Sequence, residues 1–174
     1  MLLTVSIPEW SLDEDNRVIA VGDLFESWLV LVEAERRPHA PGGLQRIHGE
    51  ATALPGWAGA AWGRYPVRVD TGAAALYWDA PEPVSGPIEL SGWVEATNVD
   101  APPAFPATSG TVRRVAMEWS DVDTTGLHER RAMLETAWYA EVPASRLVRR
   151  DLHAAGPLLT AVLIDLEVAP RGSS

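Results

Sequence analysis

The chain has 174 residues, 24 acidic and 14 basic, so its formal net charge at pH 7 is −10. It contains no cysteine, which excludes disulfides, thiolate metal sites and cysteine nucleophiles. The acidic balance argues against a protein that holds nucleic acid by bulk positive charge.

Alternating apolar and polar side chains predict short strands along most of the chain. In chain order, the predicted strands are 2–7, 17–21, 28–32, 45–51, 65–70, 74–79, 87–97, 111–119, 136–142 and 162–168. The run from Trp28 to Val32 is apolar on both faces, as in a strand that is covered twice. In 87–97, the even-numbered residues from Ile88 to Ala96 share one face, and Trp93 lies on the other among polar residues.

Turn-forming composition separates these strands, at 38–43, 55–63, 79–87 and 98–110. Residues 124–136 are the one stretch with a weak helical stripe, and a charged loop is the alternative there. No linker divides the chain, so we expect one β domain over 1–169, with 170–174 as a disordered tail. The fold class is all-β, a single compact barrel or sandwich of about ten short strands, with at most one short helix near 124–136.

The first residues carry no base and reach an acid at Glu9, which is unlike a signal peptide. No apolar run approaches the roughly 18 residues of a membrane-spanning helix. The expected compartment is the cytoplasm, and no membrane partner is expected. All the bases except histidine are arginine, which indicates a GC-rich bacterial genome.

Motifs that would indicate an enzyme fail on their spacing or on missing partners. His48-Gly49-Glu50 has the shape of a zinc deaminase motif, but that chemistry needs cysteines. No phosphate-binding loop, dinucleotide fingerprint or hydrolase elbow occurs. A metal- or carboxylate-dependent site that combines His48, Glu50, Asp121 and His153 stays open as an alternative. The sequence therefore predicts no catalytic residue, no metal ligand and no cofactor, and it leans against an enzyme.

Seven of the eight tryptophans divide by their neighbours. Those in apolar strand patterns are expected in the core, namely Trp28, Trp78, Trp119 and Trp138. Trp93 shares its face with polar residues, and Trp57 and Trp62 lie in a loop of small residues. Exposed indoles of this kind can anchor a protein interface or stack on bases. The alternative is that the loop folds back, so that its indoles cap an open barrel end.

Arginine doublets stand at 36–37, 113–114, 130–131 and 149–150. Adjacent residues of a strand point to opposite faces, so a doublet in a strand is not expected to form one patch. We expect these arginines to be scattered over the surface and paired with the excess acids.

Residues 86–95 resemble the opening strand of an OB-type barrel, in which a mid-strand glycine, here Gly92, lets the strand bend into closure. Over residues 1–120, three features resemble an uncharacterised family of small actinobacterial all-β proteins. They are Val21-Gly22-Asp23 before the strand with Trp28, the strand 86–94, and the stretch 109–115. That family has no assigned function, so the resemblance carries over no catalytic residue.

The leading interpretation is a non-enzymatic binding or interaction module, such as an accessory or immunity-type protein. Its candidate surface comprises Trp57, Trp62, Arg64, Tyr65, Trp93 and Arg113. The partner would be another protein or a small ligand, and a homo-oligomer is compatible with the same surface. The first alternative is an OB-like binder of single-stranded nucleic acid, with Trp93 and Tyr65 as stacking platforms and Arg64, Arg68 and Arg113 on phosphates. The second is the metal- or carboxylate-dependent enzyme, with its site in a barrel mouth.

Overall fold

Nine strands make up the described part of this computed structural model. The structure describes residues 1–9, 11, 18–34, 43–55, 63–97, 101–102, 104–123, 131–145 and 156–171. The strands are β1 (Leu2–Pro8), β2 (Leu24–Glu33), β3 (Gln45–Ala53), β4 (Tyr65–Asp70), β5 (Ala75–Ala80), β6 (Gly86–Thr97), β7 (Thr108–Asp123), β8 (Arg131–Val142) and β9 (Leu158–Glu167). Across the described ranges, no helix is long and apolar enough to cross a membrane.

The strands form one sheet that closes on itself. Its order is β2-β5-β4-β3-β6-β1-β9-β7-β8, and β2 also pairs with β6 and with β7. These pairings close two five-membered rings that share the β2–β6 ladder, one through β5, β4 and β3 and the other through β7, β9 and β1. Each ring has one parallel ladder, β2–β5 or β1–β6. The expected all-β, barrel-like fold is confirmed, and a single five-stranded OB barrel would use only one of the rings.

Gly92 marks the point where β6 changes partners. It lies opposite Gln45 of β3 and also opposite Glu33 of β2. A Cβ atom added to Gly92 would overlap the carbonyl oxygen of Val32, so only glycine permits this approach of two backbones. Nearby, the Gln45 side chain accepts a hydrogen bond from the Thr4 N–H at 3.3 Å and donates one to the Thr4 carbonyl at 2.5 Å. This amide ties β1 to β3 where both strands meet β6.

Aliphatic side chains fill the interior of the closed sheet, and they come from the faces that the alternation predicts. In β6 the core residues are Val94 and Ala96, and in β9 they include Ile164 and Leu166. Trp78 is buried as expected, whereas Trp28 and Trp119 are half-buried. Each fully buried aliphatic or aromatic side chain contributes roughly 1.5–3 kcal/mol, so this core decides which face of each strand points inward.

Two predicted elements differ in the structure. Residues 131–136, expected to end a helix, begin β8 instead, where Met133 pairs with Asp121 of β7. Sheet pairing overrides a weak helical stripe here, and residues 124–130 lie outside the described residues. The strand expected at 17–21 is wrong for the residues described there, where one bridge joins Ala20 to Ala144.

The expected core position of Trp138 is also wrong. Its side chain is 41% exposed, because β8 is an edge strand that pairs with β7 alone among the described strands. At the end of the chain, the Arg171 N–H donates to the Gly72 carbonyl at 2.9 Å, so the backbone is anchored there. Residues 172–174 of the expected tail lie outside the described residues.

Candidate functional site

A β-bulge in β7 turns two neighbouring arginines to the same side of the sheet. The register of β7 on β9 shifts between Val112 and Arg114, which makes Arg113 an extra residue. Val112 and Val115 both point into the core. The two arginines between them therefore share the outer face, and the expectation that this doublet would be divided between opposite faces is wrong.

Three carboxylates hold the two guanidinium groups. Arg113 Nε donates to Glu167 at 2.9 Å. Arg114 binds Asp165 through two hydrogen bonds, from Nε at 2.7 Å and from Nη2 at 3.2 Å. Its third contact, with Glu141, is longer at 3.5 Å. The two-pronged contact of Arg114 with Asp165 is the geometry that makes arginine–carboxylate pairs strong.

The Asp165 carboxyl sits between Arg114 and the hydroxyl of Thr4, which donates to it at 2.9 Å. Burial alone would raise the pKa of Asp165, but the hydrogen bonds from Arg114 and Thr4 and the nearby positive charge outweigh burial and lower it. The hydrogen bond with Asp165 likewise raises the pKa of Arg114. Both ionised forms are therefore favoured in the folded protein.

The stabilising effect of Asp165 is expected to depend on pH. Because its pKa is lower in the folded chain than in the unfolded chain, the pair stabilises the fold above the ordinary aspartate pKa of about 4. That stabilisation is lost as the pH falls through the lowered, folded-state value. Urea unfolding of the wild type and of Asp165→Asn should therefore differ most near neutral pH and converge in acid. A constant difference down to about pH 2 would contradict the assignment.

An open groove of about 270 Å³ lies beside the arginine pair. It is lined by Val21, Arg113, Arg114, Val115, Glu141, Val142 and Pro143; we call it the arginine groove. Its wall is formed by the turn before β2, because the Val21 N–H donates to the Pro143 carbonyl at 3.0 Å and the Gly22 N–H donates to the Val112 carbonyl at 2.8 Å. The groove therefore lies where β7, the end of β8 and the turn before β2 meet.

Aliphatic side chains stand exposed along the same segment. Val18 is 55% exposed, Val21 50% and Leu24 74%; we call these three residues the apolar rim. Leu24 lies opposite Thr111, two residues before Arg113 on β7, which places the rim next to the groove. Exposed aliphatic side chains beside arginines are typical of protein-binding surfaces.

Of the four predicted site residues that the structure describes, Arg113 lines this groove, whereas Arg64, Tyr65 and Trp93 do not. Arg64 contacts Glu33 at 3.4 Å, and Tyr65 is exposed at the start of β4. Trp57 and Trp62 lie outside the described residues. The other groove residues were missed because a bulge and a turn bring them together, and neither leaves a period-two signal.

The expected exposure of Trp93 is wrong, since only 4% of its surface is accessible. It lies on the outer face of β6, as the alternation predicts, but Gly43 covers it. A Cβ atom at Gly43 would stand 3.4 Å from the indole and within 4 Å of Thr4 and Leu163. In this position Trp93 cannot serve as a stacking platform.

The alternative enzymatic set does not come together in the described residues. His48 Nδ1 lies 3.5 Å from Glu89, and both side chains are more than half exposed. His48 and Glu50 are on β3, whereas Asp121 is on β7, which does not pair with β3. His153 lies outside the described residues. Within those described, no group of three or more histidine or acidic side chains could hold a metal ion.

A second polar cluster lies on β7, centred on the buried Glu118. Its carboxylate accepts hydrogen bonds from the Tyr139 hydroxyl at 2.7 Å and from the Thr160 hydroxyl at 2.6 Å. Thr160 is the extra residue of a bulge in β9, because Glu118 pairs with Ala161 and Trp119 pairs with Leu159. The cluster therefore joins β8 and β9 to β7 through one acid.

Comparison with known proteins gave no match, since no family model, no curated protein and no solved structure is similar to this chain. The resemblance described for residues 1–120 stays an expectation. The reading of the site therefore rests on its own geometry.

Proposed function

We propose that the protein is a non-enzymatic interaction module that binds another protein through the arginine groove and the apolar rim. The observation that carries this proposal is the adjacency of the groove, with its two outward arginines, to three exposed aliphatic side chains. Arginine is enriched among the side chains that supply most of the free energy of protein association, and exposed apolar patches rimmed by polar residues mark interaction surfaces. An accessory or immunity-type protein would work in this way, by occupying part of a partner's surface.

The chemistry of the groove favours binding over catalysis. The described residues that line it are valine, arginine, glutamate and proline. These side chains offer contact area and charge to a ligand, and none of those described carries a hydroxyl, thiol or imidazole that could act as an activated nucleophile.

Nucleic-acid binding is the less supported alternative. Arg64, Arg68 and Arg113 each contact a carboxylate of the protein itself, at Glu33, Asp70 and Glu167 respectively. A phosphate would have to displace these acids against a formal net charge of −10.

The proposal is tested by capture on the immobilised full-length protein, with Leu24→Gln as the variant. This change removes the apolar side chain without adding a charge, at a site that is 74% exposed, so the fold should tolerate it. A partner captured from lysate of the source organism by the wild type should then be made as a recombinant protein. Its Kd should rise at least about tenfold with the variant, which corresponds to about 1.4 kcal/mol.

Tyr65→Gln is the matched control, because it makes the same neutral replacement at another exposed large side chain, on β4. This control should bind the recombinant partner like the wild type. If Leu24→Gln also binds the partner like the wild type, the rim is not the binding surface and the proposal fails.

A further inference from the structure

The surface around the arginine groove carries more acids than bases. On the outer face of β7 and β9, Asp165 and Glu167 are engaged by Arg114 and Arg113. Glu141, whose side chain is 73% exposed, reaches Arg114 only at 3.5 Å. Its carboxylate is therefore open to a further cation.

Two more acids flank the apolar rim. Asp23 and Glu26 are exposed on either side of Leu24. Phe25 points into the core, so Leu24 and Glu26 share the outer face of β2. Neither acid forms an ion pair with an arginine among the described residues. Counted over the described residues, five carboxylates and two guanidinium groups thus lie on this surface, an excess of three negative charges beside the exposed aliphatic side chains.

We propose that the partner binds with a basic segment, in which an apolar side chain enters the arginine groove and flanking arginine or lysine side chains reach Glu141, Asp23 and Glu26. This inference rests on the proposed function and names the chemistry of the partner. The apolar side chain packs against Val21 and Pro143. The flanking cations meet the carboxylates that the protein's own arginines leave available, and the net charge of −10 steers a basic segment towards the protein.

The test is selection of random linear peptides displayed on phage against the immobilised full-length protein. Selected peptides should share an aromatic or aliphatic residue next to two or more arginine or lysine residues. A synthetic peptide of the consensus, followed by fluorescence anisotropy, should bind more weakly as salt rises. Glu141→Lys should weaken that peptide at least about fivefold, since it reverses a charge that the peptide contacts.

Glu82→Lys is the matched control, because it makes the same change of net charge at an exposed residue between β5 and β6. It should leave the affinity within about twofold of the wild type, because this exposed residue is not among those that line the groove. Equal effects of Glu141→Lys and Glu82→Lys would overturn the inference.

Other outcomes separate this inference from the proposed function. Peptides that lose binding with Leu24→Gln but carry no excess of basic residues would overturn the inference alone. Peptides that bind regardless of Leu24→Gln would overturn both. A homodimer that Leu24→Gln converts to monomer, seen by light scattering, would make a second copy of the chain the occupant and would also overturn the basic partner.

Discussion

Replacing Gly92 with alanine is expected to lower the free energy of unfolding by at least about 3 kcal/mol, the upper end of the usual cost of overpacking. The added Cβ would overlap the Val32 carbonyl oxygen, which belongs to the backbone of β2 and has no side-chain freedom to move away. The overlap also lies where β6 stops pairing with β3 and begins to pair with β2. The added atom can therefore be accommodated only if β2 and β6 separate there. Thermal unfolding should show a fall in Tm of about 6–12 °C.

Two other glycines provide a graded comparison. A Cβ on Gly110 would lie 2.6 Å from the Glu167 carbonyl oxygen, and one on Gly49 would lie 2.8 Å from the Asp70 carbonyl oxygen. The losses should therefore rank Gly92→Ala first, Gly110→Ala second and Gly49→Ala third. Ser91→Ala, at the exposed neighbour of Gly92, is the control and should stay within about 0.5 kcal/mol of the wild type. A Gly92→Ala protein as stable as this control would show that β6 does not bend at this point.

Replacing Glu118 with alanine is expected to cost about 2–4 kcal/mol of unfolding free energy, because it removes a buried carboxylate that accepts hydrogen bonds from two half-buried hydroxyl groups. The residue is buried, and its carboxylate joins Tyr139 of β8 and Thr160 of β9 to β7. The loss should be visible in urea unfolding as a lower midpoint, with the slope unchanged.

Glu118→Gln separates hydrogen bonding from charge. The amide keeps one acceptor oxygen and the same shape, and a hydroxyl can rotate to accept from its NH₂ group. We therefore expect Glu118→Gln to retain more than half of the stability that Glu118→Ala loses. If the two variants were equally unstable, the negative charge rather than the hydrogen bonds would stabilise this cluster.

The strands could be predicted from the sequence because one face of each is buried. A period of two then appears in the residue pattern, as in β6 and β9, where the predicted inward residues are the core residues. The bounds of β4 at Tyr65–Asp70 also agree with the prediction. The glycine in the middle of β6 lies where the strand changes partners and a second backbone approaches closely, which is one of the uses of glycine inside a strand.

The site could not be predicted in the same way, because it depends on departures from that period. The bulge at Arg113 reverses the face of one arginine, and no local residue pattern indicates that an extra residue is present. The exposure expected for Trp93 is wrong for a different reason. Its own strand assigns it correctly to the outer face, but Gly43, about fifty residues earlier in the chain, covers it. Such coverage is a tertiary contact, which alternation within one strand does not encode.

The bulge also connects the fold with the proposed function. Without the extra residue, Arg113 or Arg114 would point into the aliphatic core, where an arginine is rarely tolerated. With it, both guanidinium groups reach the groove and hold Asp165 and Glu167. The bulge therefore keeps both arginines out of the core and places their charges on the surface beside the groove.

The most direct test of the rim as a binding surface is photo-crosslinking in cells of the source organism. A benzophenone amino acid is incorporated at Leu24 in one strain and at Tyr65 in another, both being exposed positions. We expect a discrete covalent adduct with one partner protein from position 24 and none from position 65. Equal crosslinking from both positions, or adducts from position 65 alone, would contradict the assignment of the arginine groove and apolar rim as the binding site.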